Sequence, residues 1–138
     1  MDFVKGVIQI ETLEFTDYRG TLSFAEAEEN IPFPVKRLFW IYGVKENMSR
    51  GGHAHKTCKQ AIIAVAGSFD IFITDLKSEM TLKMDKPNQI LVIPEGIWCE
   101  LKNFSKDAVA LVATSEHFDK DDYLQPMNEY QEWLDENV

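Results

Sequence analysis

Short apolar runs, each long enough for one β-strand, occupy nearly the whole chain and limit the folds open to it. Glycine, proline, asparagine and aspartate separate the runs, and several runs alternate apolar with polar residues. They read VIQIETLEF, TLSFAEAE, VKRLFWIYGV, QAIIAVAG, SFDIFITDL, MTLKM, QILVIP, IWCELKNF and AVALVATS. Their number and spacing predict an all-β sandwich or barrel. We expect a hairpin turn at Gly67-Ser68, between two of the runs.

The C-terminal segment departs from this pattern. Six apolar residues recur there at helical spacing among acidic ones: Tyr123, Leu124, Met127, Tyr130, Trp133 and Leu134. Because Pro126 falls inside the pattern, we expect the helix to begin near it or to be split there. We expect this helix to pack on the outside of the β-barrel. The alternative is a dimer contact made by the same apolar stripe.

Size and charge narrow the classes of function. With 138 residues, 45% of them hydrophobic, the chain is long enough for one core, and we expect a single domain spanning residues 1–138. The formal net charge of −9 argues against a non-specific nucleic-acid binder, because phosphate contacts need a basic face. All three arginines nevertheless fall within the first 50 residues. A recessed site near them can still bind an anionic small molecule.

The chain carries no sign of a membrane or secretory destination. No basic segment followed by an apolar one begins it, and no stretch approaches the roughly 18 consecutive apolar residues of a membrane span. Two cysteines occur, Cys58 and Cys99, and they form no C-x-x-C pair. We therefore expect a soluble protein of the reducing cytoplasm that binds no membrane.

The stretch SRGGHAHKTCKQAIIAVAG, residues 49–67, holds two histidines one residue apart, His53 and His55. Alternate residues of a strand share a face, so both imidazoles point to the same side. Three interpretations are open: two metal ligands, the acid/base groups of a metal-free site, or histidines that only form hydrogen bonds inside the barrel.

The turn residues around this stretch resemble those of cupins, which are small double-sheet jelly-roll barrels. Metal-binding cupins carry H-x-H, a glutamate three or four residues later and a glycine after six more, then P-x-G-x-x-H. This chain has Gln60 at the glutamate position and Gly67 at the glycine, followed by Pro94, Gly96 and Cys99. The resemblance implies a cupin double-stranded β-helix with a short C-terminal helix.

Two of the four metal-ligand positions of cupins are not matched. Without a carboxylate at Gln60, a hard-metal or non-haem iron site lacks its anionic ligand. Zinc remains an alternative, because His53, His55 and Cys99 make up a His2Cys ligand set with an open position.

Five motifs in order point to one family of cupins. They are DYRG (residues 17–20), IPFPVKR (31–37), RGGHAHK (50–56), PEGIWCE (94–100) and DDYL (121–124). Together they resemble the WxcM-like cupins, sugar 3,4-ketoisomerases that act on dTDP-4-keto-6-deoxyglucose. The resemblance implies a ketone moved from C4 to C3 of this nucleotide sugar, on the way to 3-amino-3,6-dideoxy sugars of surface polysaccharides.

The same resemblance implies roles for individual residues. The first histidine, His53, is the expected base, and His55 and Tyr18 are further catalytic candidates. Arg19 and Arg50 are expected to contact substrate. The family works without metal or other cofactor, as a homodimer whose N-terminal strands are exchanged.

The residue types suit this chemistry. An imidazole with a pKa near 6.5 can accept a proton from C3 and return it to C4 at neutral pH. His55 or Tyr18 can donate a hydrogen bond to the developing enolate oxygen. Arginine forks bind diphosphate well, so Arg37 is a further binding candidate, although a carboxylate on the next strand is an equally good partner for it.

Other candidates for substrate contact complete the predicted site. Lys56 adds a cation and Trp98 an aromatic side chain, while Phe39 or Tyr42 offers a ring on which thymine can stack. Members of the family commonly have histidine where this chain has Cys99, and we expect that cysteine to be a small buried hydrophobic residue rather than an acid. Competing functions are a metal-dependent cupin enzyme and a non-catalytic sensor of dTDP sugars.

Overall fold

Two antiparallel five-stranded sheets form the body of the protein in a computed structural model that describes residues 3–137. The first sheet consists, in spatial order, of β1 (Ile8–Glu11), β9 (Gln89–Ile93), β6 (Gln60–Ala66), β11 (Val109–Thr114) and β4 (Arg37–Tyr42). The second consists of β12 (Tyr123–Leu124), β5 (Arg50–His55), β10 (Trp98–Lys102), β7 (Phe69–Thr74) and β8 (Glu79–Met84). Helix α1 (Met127–Asn137) ends the chain. The predicted all-β jelly roll with a C-terminal helix is confirmed.

The main core fills the space between the two sheets. In β7, Phe69, Ile71 and Ile73 are fully buried, while the residues between them are partly exposed. This period-2 alternation turns every second side chain inward, as a half-buried strand requires. A second apolar cluster lies around Ile90 and Val92 of β9, together with side chains of the segment 25–35. That segment therefore packs against the same sheet.

The turn expected at Gly67-Ser68 is not a hairpin, and this prediction was wrong. Strand β6 belongs to the first sheet and β7 to the second, so the two residues carry the chain across from one sheet to the other. Gly67 has φ +63°, and a Cβ there would lie 2.7 Å from the Cα of Ala108. Alternation in two neighbouring runs indicates two strands, but it does not say which strands they pair with.

The N-terminal runs are shorter strands than the pattern indicated. The run VIQIETLEF is divided between β1 and β2 (Glu14–Asp17), and TLSFAEAE contributes only to β3 (Gly20–Ser23). Strands β2 and β3 pair with each other, from Glu14↔Ser23 to Asp17↔Gly20, and within residues 3–137 they join neither large sheet. We call residues 14–23 the N-terminal hairpin. It exposes apolar side chains such as Phe15 and Leu22.

Helix α1 begins one residue after Pro126, as expected, and covers the second sheet of its own chain. Tyr130 is fully buried, and its hydroxyl donates to the carbonyl of Gly96 at 2.8 Å. Trp133 packs against the apolar cluster that Tyr130 forms with Ala54, Trp98 and Leu124. Tyr123 and Leu124, the first two residues of the predicted stripe, form β12 instead of helix. Within residues 3–137, no helix is both long and apolar enough to cross a bilayer.

The close packing at Gly67, where the chain crosses between the sheets, gives a prediction about stability. Gly67→Ala should destabilise the protein more than Gly43→Ala, although both glycines have positive φ, because no atom lies within 4 Å of a Cβ at Gly43. We expect Gly43→Ala to cost about 1–2 kcal/mol for the left-handed backbone and Gly67→Ala about 1–3 kcal/mol more, for displaced neighbours. Urea denaturation measures both. Equal losses of unfolding free energy in the two variants would contradict the close packing around Gly67.

Candidate active site

A cavity of about 620 Å³ lies between the two sheets. Part of its wall is apolar, with side chains from β4, β6, β10 and β11: Phe39, Ile41, Ile62, Leu101 and Val112. Arg37, Arg50, His53 and Gln60 supply the polar part, next to Phe118 and Tyr123. An apolar cavity with a few polar groups is the usual form of a small-molecule site.

The two histidines of β5 lie at this cavity. His53 lines it, whereas His55 is only 5% exposed and adjoins the cavity residue Gln60. The imidazole rings meet edge to face, with centroids 4.9 Å apart, and the ring of Tyr123 lies 4.8 Å from His53 and 4.4 Å from His55. The predicted shared face is thereby observed, and Tyr123 restricts the orientation of both imidazoles.

A buried carboxylate that the sequence reasoning did not single out holds His55. Asp122 Oδ2 lies 3.0 Å from His55 Nδ1. The other oxygen, Oδ1, accepts hydrogen bonds from the backbone N–H and the hydroxyl of Thr57, both at 2.8 Å. The only signal in the sequence was the motif DDYL, which contains Asp122.

Burial and the neighbouring charges determine the protonation of these groups. Burial, together with the nearby His55, lowers the pKa of His53 to about 4. Burial also lowers the pKa of His55, although Asp122 acts in the opposite direction. Burial alone would raise the pKa of Asp122, but hydrogen bonds from Thr57 and His55 outweigh it and lower the pKa. Both imidazoles are therefore neutral at pH 7 and can accept a proton.

The structure groups potential metal ligands differently from the sequence prediction. Ligand atoms of His55, Cys58 and Asp122 lie within 4.8 Å of one another, whereas the predicted set was His53, His55 and Cys99. Zinc accepts these ligand types. However, both oxygens of Asp122 already accept hydrogen bonds, and burial raises the pKa of the Cys58 thiol. The cluster fits a closed hydrogen-bond network better than a metal site.

Cys99 lies on β10 directly opposite His53, and it lines the cavity. Burial raises the pKa of its thiol to about 12. The side chain is thus a neutral, buried part of the wall, consistent with the expectation of a small hydrophobic residue rather than an acid.

Two arginines bring positive charge to the cavity. The guanidinium of Arg37 lies over the rings of Phe39 and Phe118, 5.1 and 5.5 Å from their centroids. Its buried Nε has no hydrogen-bond partner, and within residues 3–137 Arg37 forms no ion pair. The alternative expectation, a carboxylate on the next strand, is therefore not observed. Arg50 is exposed and lines the same cavity.

Other predicted site residues lie away from this cavity within the single chain. Tyr18 is 97% exposed at the turn of the N-terminal hairpin, and Arg19 beside it pairs with Asp17 at 2.6 Å. Trp98 is buried on the opposite face of β10, with its ring 5.7 Å from that of Tyr130. Lys56 is exposed just beyond β5. Two rings were predicted to stack on thymine. Phe39 lines the cavity, whereas the side chain of Tyr42 is exposed.

Comparison with known proteins agrees with the fold. The chain is similar to TDP-4-oxo-6-deoxy-α-D-glucose-3,4-oxoisomerase of Aneurinibacillus thermoaerophilus, with 31% identity over 118 residues that cover 86% of this chain and 85% of that protein. It also superposes on a 3,4-ketoisomerase from Helicobacter canadensis, with a TM-score of 0.91, 31% identity, and 94% and 98% of the two chains covered.

A third match is the QdtA 3,4-ketoisomerase of Thermoanaerobacterium thermosaccharolyticum, solved as a variant in complex with TDP-4-keto-6-deoxyglucose. The TM-score is 0.94 at 28% identity, and 99% of each chain is covered. Fold, cavity and matches together define an isomerase of the cupin type. The family model described as "FdtA: WxcM-like, C-terminal" matches residues 5–135, and the chain belongs to this family.

The depressed pKa of His53 gives a prediction about stability. As the pH falls below 6.5, the unfolded chain binds a proton at this side chain, while the folded protein does not until about pH 4. Stability is therefore lost over this window. Between pH 7.5 and pH 5, the native protein should lose about 2 kcal/mol more than His53→Asn. Urea denaturation at both pH values checks this, and an identical loss in the two proteins would contradict it.

Proposed function

We propose that this protein is a 3,4-ketoisomerase that converts TDP-4-keto-6-deoxyglucose into its 3-keto isomer. The observation that carries the proposal is the neutral imidazole of His53 at a cavity that also holds unpaired Arg37. A family whose matched members are 3,4-ketoisomerases supports the same reaction. The product is then a substrate for amination at C3, as the family resemblance implies.

The reaction requires two proton transfers. One proton leaves C3 and one arrives at C4, with an enediol between them, while a hydroxyl proton moves from O3 to O4. His53 is the proposed base for the carbon positions, because it is neutral and lines the cavity. Its low pKa also makes the protonated form a better proton donor than a free imidazolium, which favours return of the proton to C4. No step of this scheme requires a metal or another cofactor.

The oxygen atoms need a second group. His55 is the proposed partner, because it adjoins the cavity residue Gln60 and its Nδ1 faces Asp122. Tyr18 is the other proposed catalytic group and requires the exchanged dimer described below. The electrostatic stabilisation of a developing enolate by a nearby donor is worth several kcal/mol in comparable sites, of the order of 3.

The cations are proposed to bind the diphosphate. Arg37 has a buried Nε without a partner, and such an atom is costly unless a ligand satisfies it. Arg50 on β5 adds a second positive charge at the same cavity. The guanidinium of Arg37 covers one face of Phe39 and of Phe118, and the exposed Phe118 is the better placed of the two to stack on thymine with its other face. Lys56 lies outside the cavity and contributes a more distant charge.

The reaction is tested by proton NMR with TDP-4-keto-6-deoxyglucose in D2O, using EDTA-treated protein. We expect a 3-keto product, and His53→Asn should lower the rate by about 10²–10⁴, the usual contribution of an acid/base group. His117→Asn is the matched control, because His117 is exposed and does not line the cavity.

The outcomes separate the competing functions. A His53→Asn rate above about one hundredth of the native rate would point to another base. Product that forms only when metal is added would favour the metal-dependent enzyme. Binding of the nucleotide sugar with no change at C3 or C4 would favour a non-catalytic sensor.

We further propose a homodimer in which the N-terminal strands are exchanged. Strand β4 is an edge of the first sheet, and its outward side chains Leu38, Trp40 and Tyr42 are more than half exposed. Within the described residues 3–137, the N-terminal hairpin pairs with neither large sheet and exposes apolar side chains of its own. An edge strand readily accepts another strand, so the hairpin of one subunit fits β4 of its partner.

The exchange would give Tyr18 and Arg19 a role that they cannot have in the single chain. At the turn of the N-terminal hairpin, both side chains are exposed. When the hairpin docks on the partner, its turn can approach the partner's cavity, since Arg37, Phe39 and Ile41 of β4 line that cavity.

The free cysteines, Cys58 and Cys99, suit a reducing cytoplasm, where we place the enzyme.

Mixed dimers test the exchange. Arg19→Ala and His53→Asn subunits, co-expressed with different tags, should form heterodimers with about half the native activity, because one of the two sites then has both native residues. The matched control pairs a native subunit with one that carries both substitutions. This dimer should be nearly inactive, since each site then has one defect. The reverse result, or a monomer in sedimentation, would contradict exchange.

A further inference from the structure

A buried carboxylate has no role in the reaction as proposed so far. Asp122 is 8% exposed and lies at the end of the short 3-10 helix Lys120–Asp122. It accepts hydrogen bonds from the N–H and hydroxyl of Thr57, and the N–H of Cys58 lies 3.3 Å from its Oδ2. Because the other groups around the carboxylate donate to it, Asp122 is ionised and its Oδ2 must accept from Nδ1 of His55.

The opposite nitrogen of His55 faces an amide. The side-chain nitrogen of Gln60 lies 3.4 Å from His55 Nε2, and Gln60 is 7% exposed and lines the cavity. An amide N–H donates, so Nε2 accepts and carries the lone pair. At 3.4 Å this hydrogen bond is long, and a substrate hydroxyl can replace it.

We propose that Asp122 and Gln60 are positioning residues that fix the neutral His55 imidazole with its proton on Nδ1 and its lone pair on Nε2, at the cavity wall. The consequence for catalysis rests on the proposed function. Nε2 takes the hydroxyl proton from O3, the imidazolium is paired with Asp122, and the same proton passes to O4. Each proton taken up is returned, so no other reactant is needed.

The identity of residue 60 matters for this arrangement. A carboxylate at position 60 would accept a hydrogen bond from Nε2–H of His55. Together with Asp122, it would favour the doubly protonated imidazolium. That form has no lone pair and cannot accept a proton. The amide instead leaves Nε2 free of its proton. The residue that removes a ligand of a metal-binding cupin thereby suits acid/base use of the histidine.

Several charged or titratable groups surround His55 and act on its protonation. They come from the loop after β5, from the 3-10 helix, from β5 itself, from β12 and from β4: Cys58, Asp122, His53, Tyr123 and Arg37. Asp122 favours the protonated imidazole, and Arg37 opposes it. Cys58 remains a neutral thiol, because burial raises its pKa.

Two substitutions should move the protonation of His55 in opposite directions. Asp122→Asn removes the partner of the imidazolium, so the pKa of His55 should fall by about one unit or more. Gln60→Glu adds a carboxylate, so the pKa should rise by a similar amount. The acid limb of the kcat profile should move to lower pH in Asp122→Asn and to higher pH in Gln60→Glu.

The measurement is a two-bond ¹H–¹⁵N spectrum of ligand-free protein with ¹⁵N-labelled histidine, recorded from pH 5 to pH 8 for the native protein and both variants. We expect the native His55 to show a protonated Nδ1 and an unprotonated Nε2. Thr57→Val is the matched control: it removes one donor to Asp122 but leaves the carboxylate beside His55, and should preserve the tautomer.

A protonated Nε2 in native protein, or shifts in the same direction in both variants, would overturn the proposal. Gln60→Glu gives an answer even if Asp122→Asn does not fold. The spectrum does not depend on turnover. Native protein that yields no 3-keto product but shows the Nδ1–H tautomer would therefore reject the proposed function and leave the positioning of His55 intact.

Discussion

Strand β5 is hydrogen bonded along both edges, and the geometry of the candidate site depends on this double pairing. On one edge, β10 places Cys99 opposite His53. On the other edge, β12 places Tyr123 opposite His55. Tyr123 directly follows Asp122, whose carboxylate contacts the imidazole of His55. A strand fixed on both sides keeps its alternation, so the two histidines remain on one face.

The charges of the site follow a simple division. The buried imidazole of His55 has a carboxylate beside it, whereas Arg37 has no anionic partner within the described chain. The first arrangement can neutralise a protonated imidazole, and the second leaves a positive charge that an anionic ligand can neutralise. A chain with net charge −9 can thus still offer a site for an anionic ligand. Local placement of cations matters more than their number.

Most of the fold could be predicted from alternation and turn residues, and the failures concern long-range pairing. Most strands of both sheets and the start of α1 near Pro126 were found in this way, but β5 lies outside the apolar runs and β12 was expected to be helix. The hairpin expected at Gly67 was not, because the strands on either side of it pair with strands distant in sequence. For the site, the H-x-H motif located His53, but the hairpin residues Tyr18 and Arg19 do not line the cavity beside His53 in the single chain.

By itself, the sequence determined that the chain forms short strands, that His53 and His55 share a face, and that Gln60 takes the place of a metal-binding carboxylate. These properties depend on residue type and on spacing of a few positions, which act locally. Only the tertiary structure decided that Asp122, 67 residues away, meets His55. It also decided that Trp98 faces the helix rather than the cavity. Such contacts depend on how the sheets and the helix pack against each other, and the local periodicity of the sequence does not predict that packing.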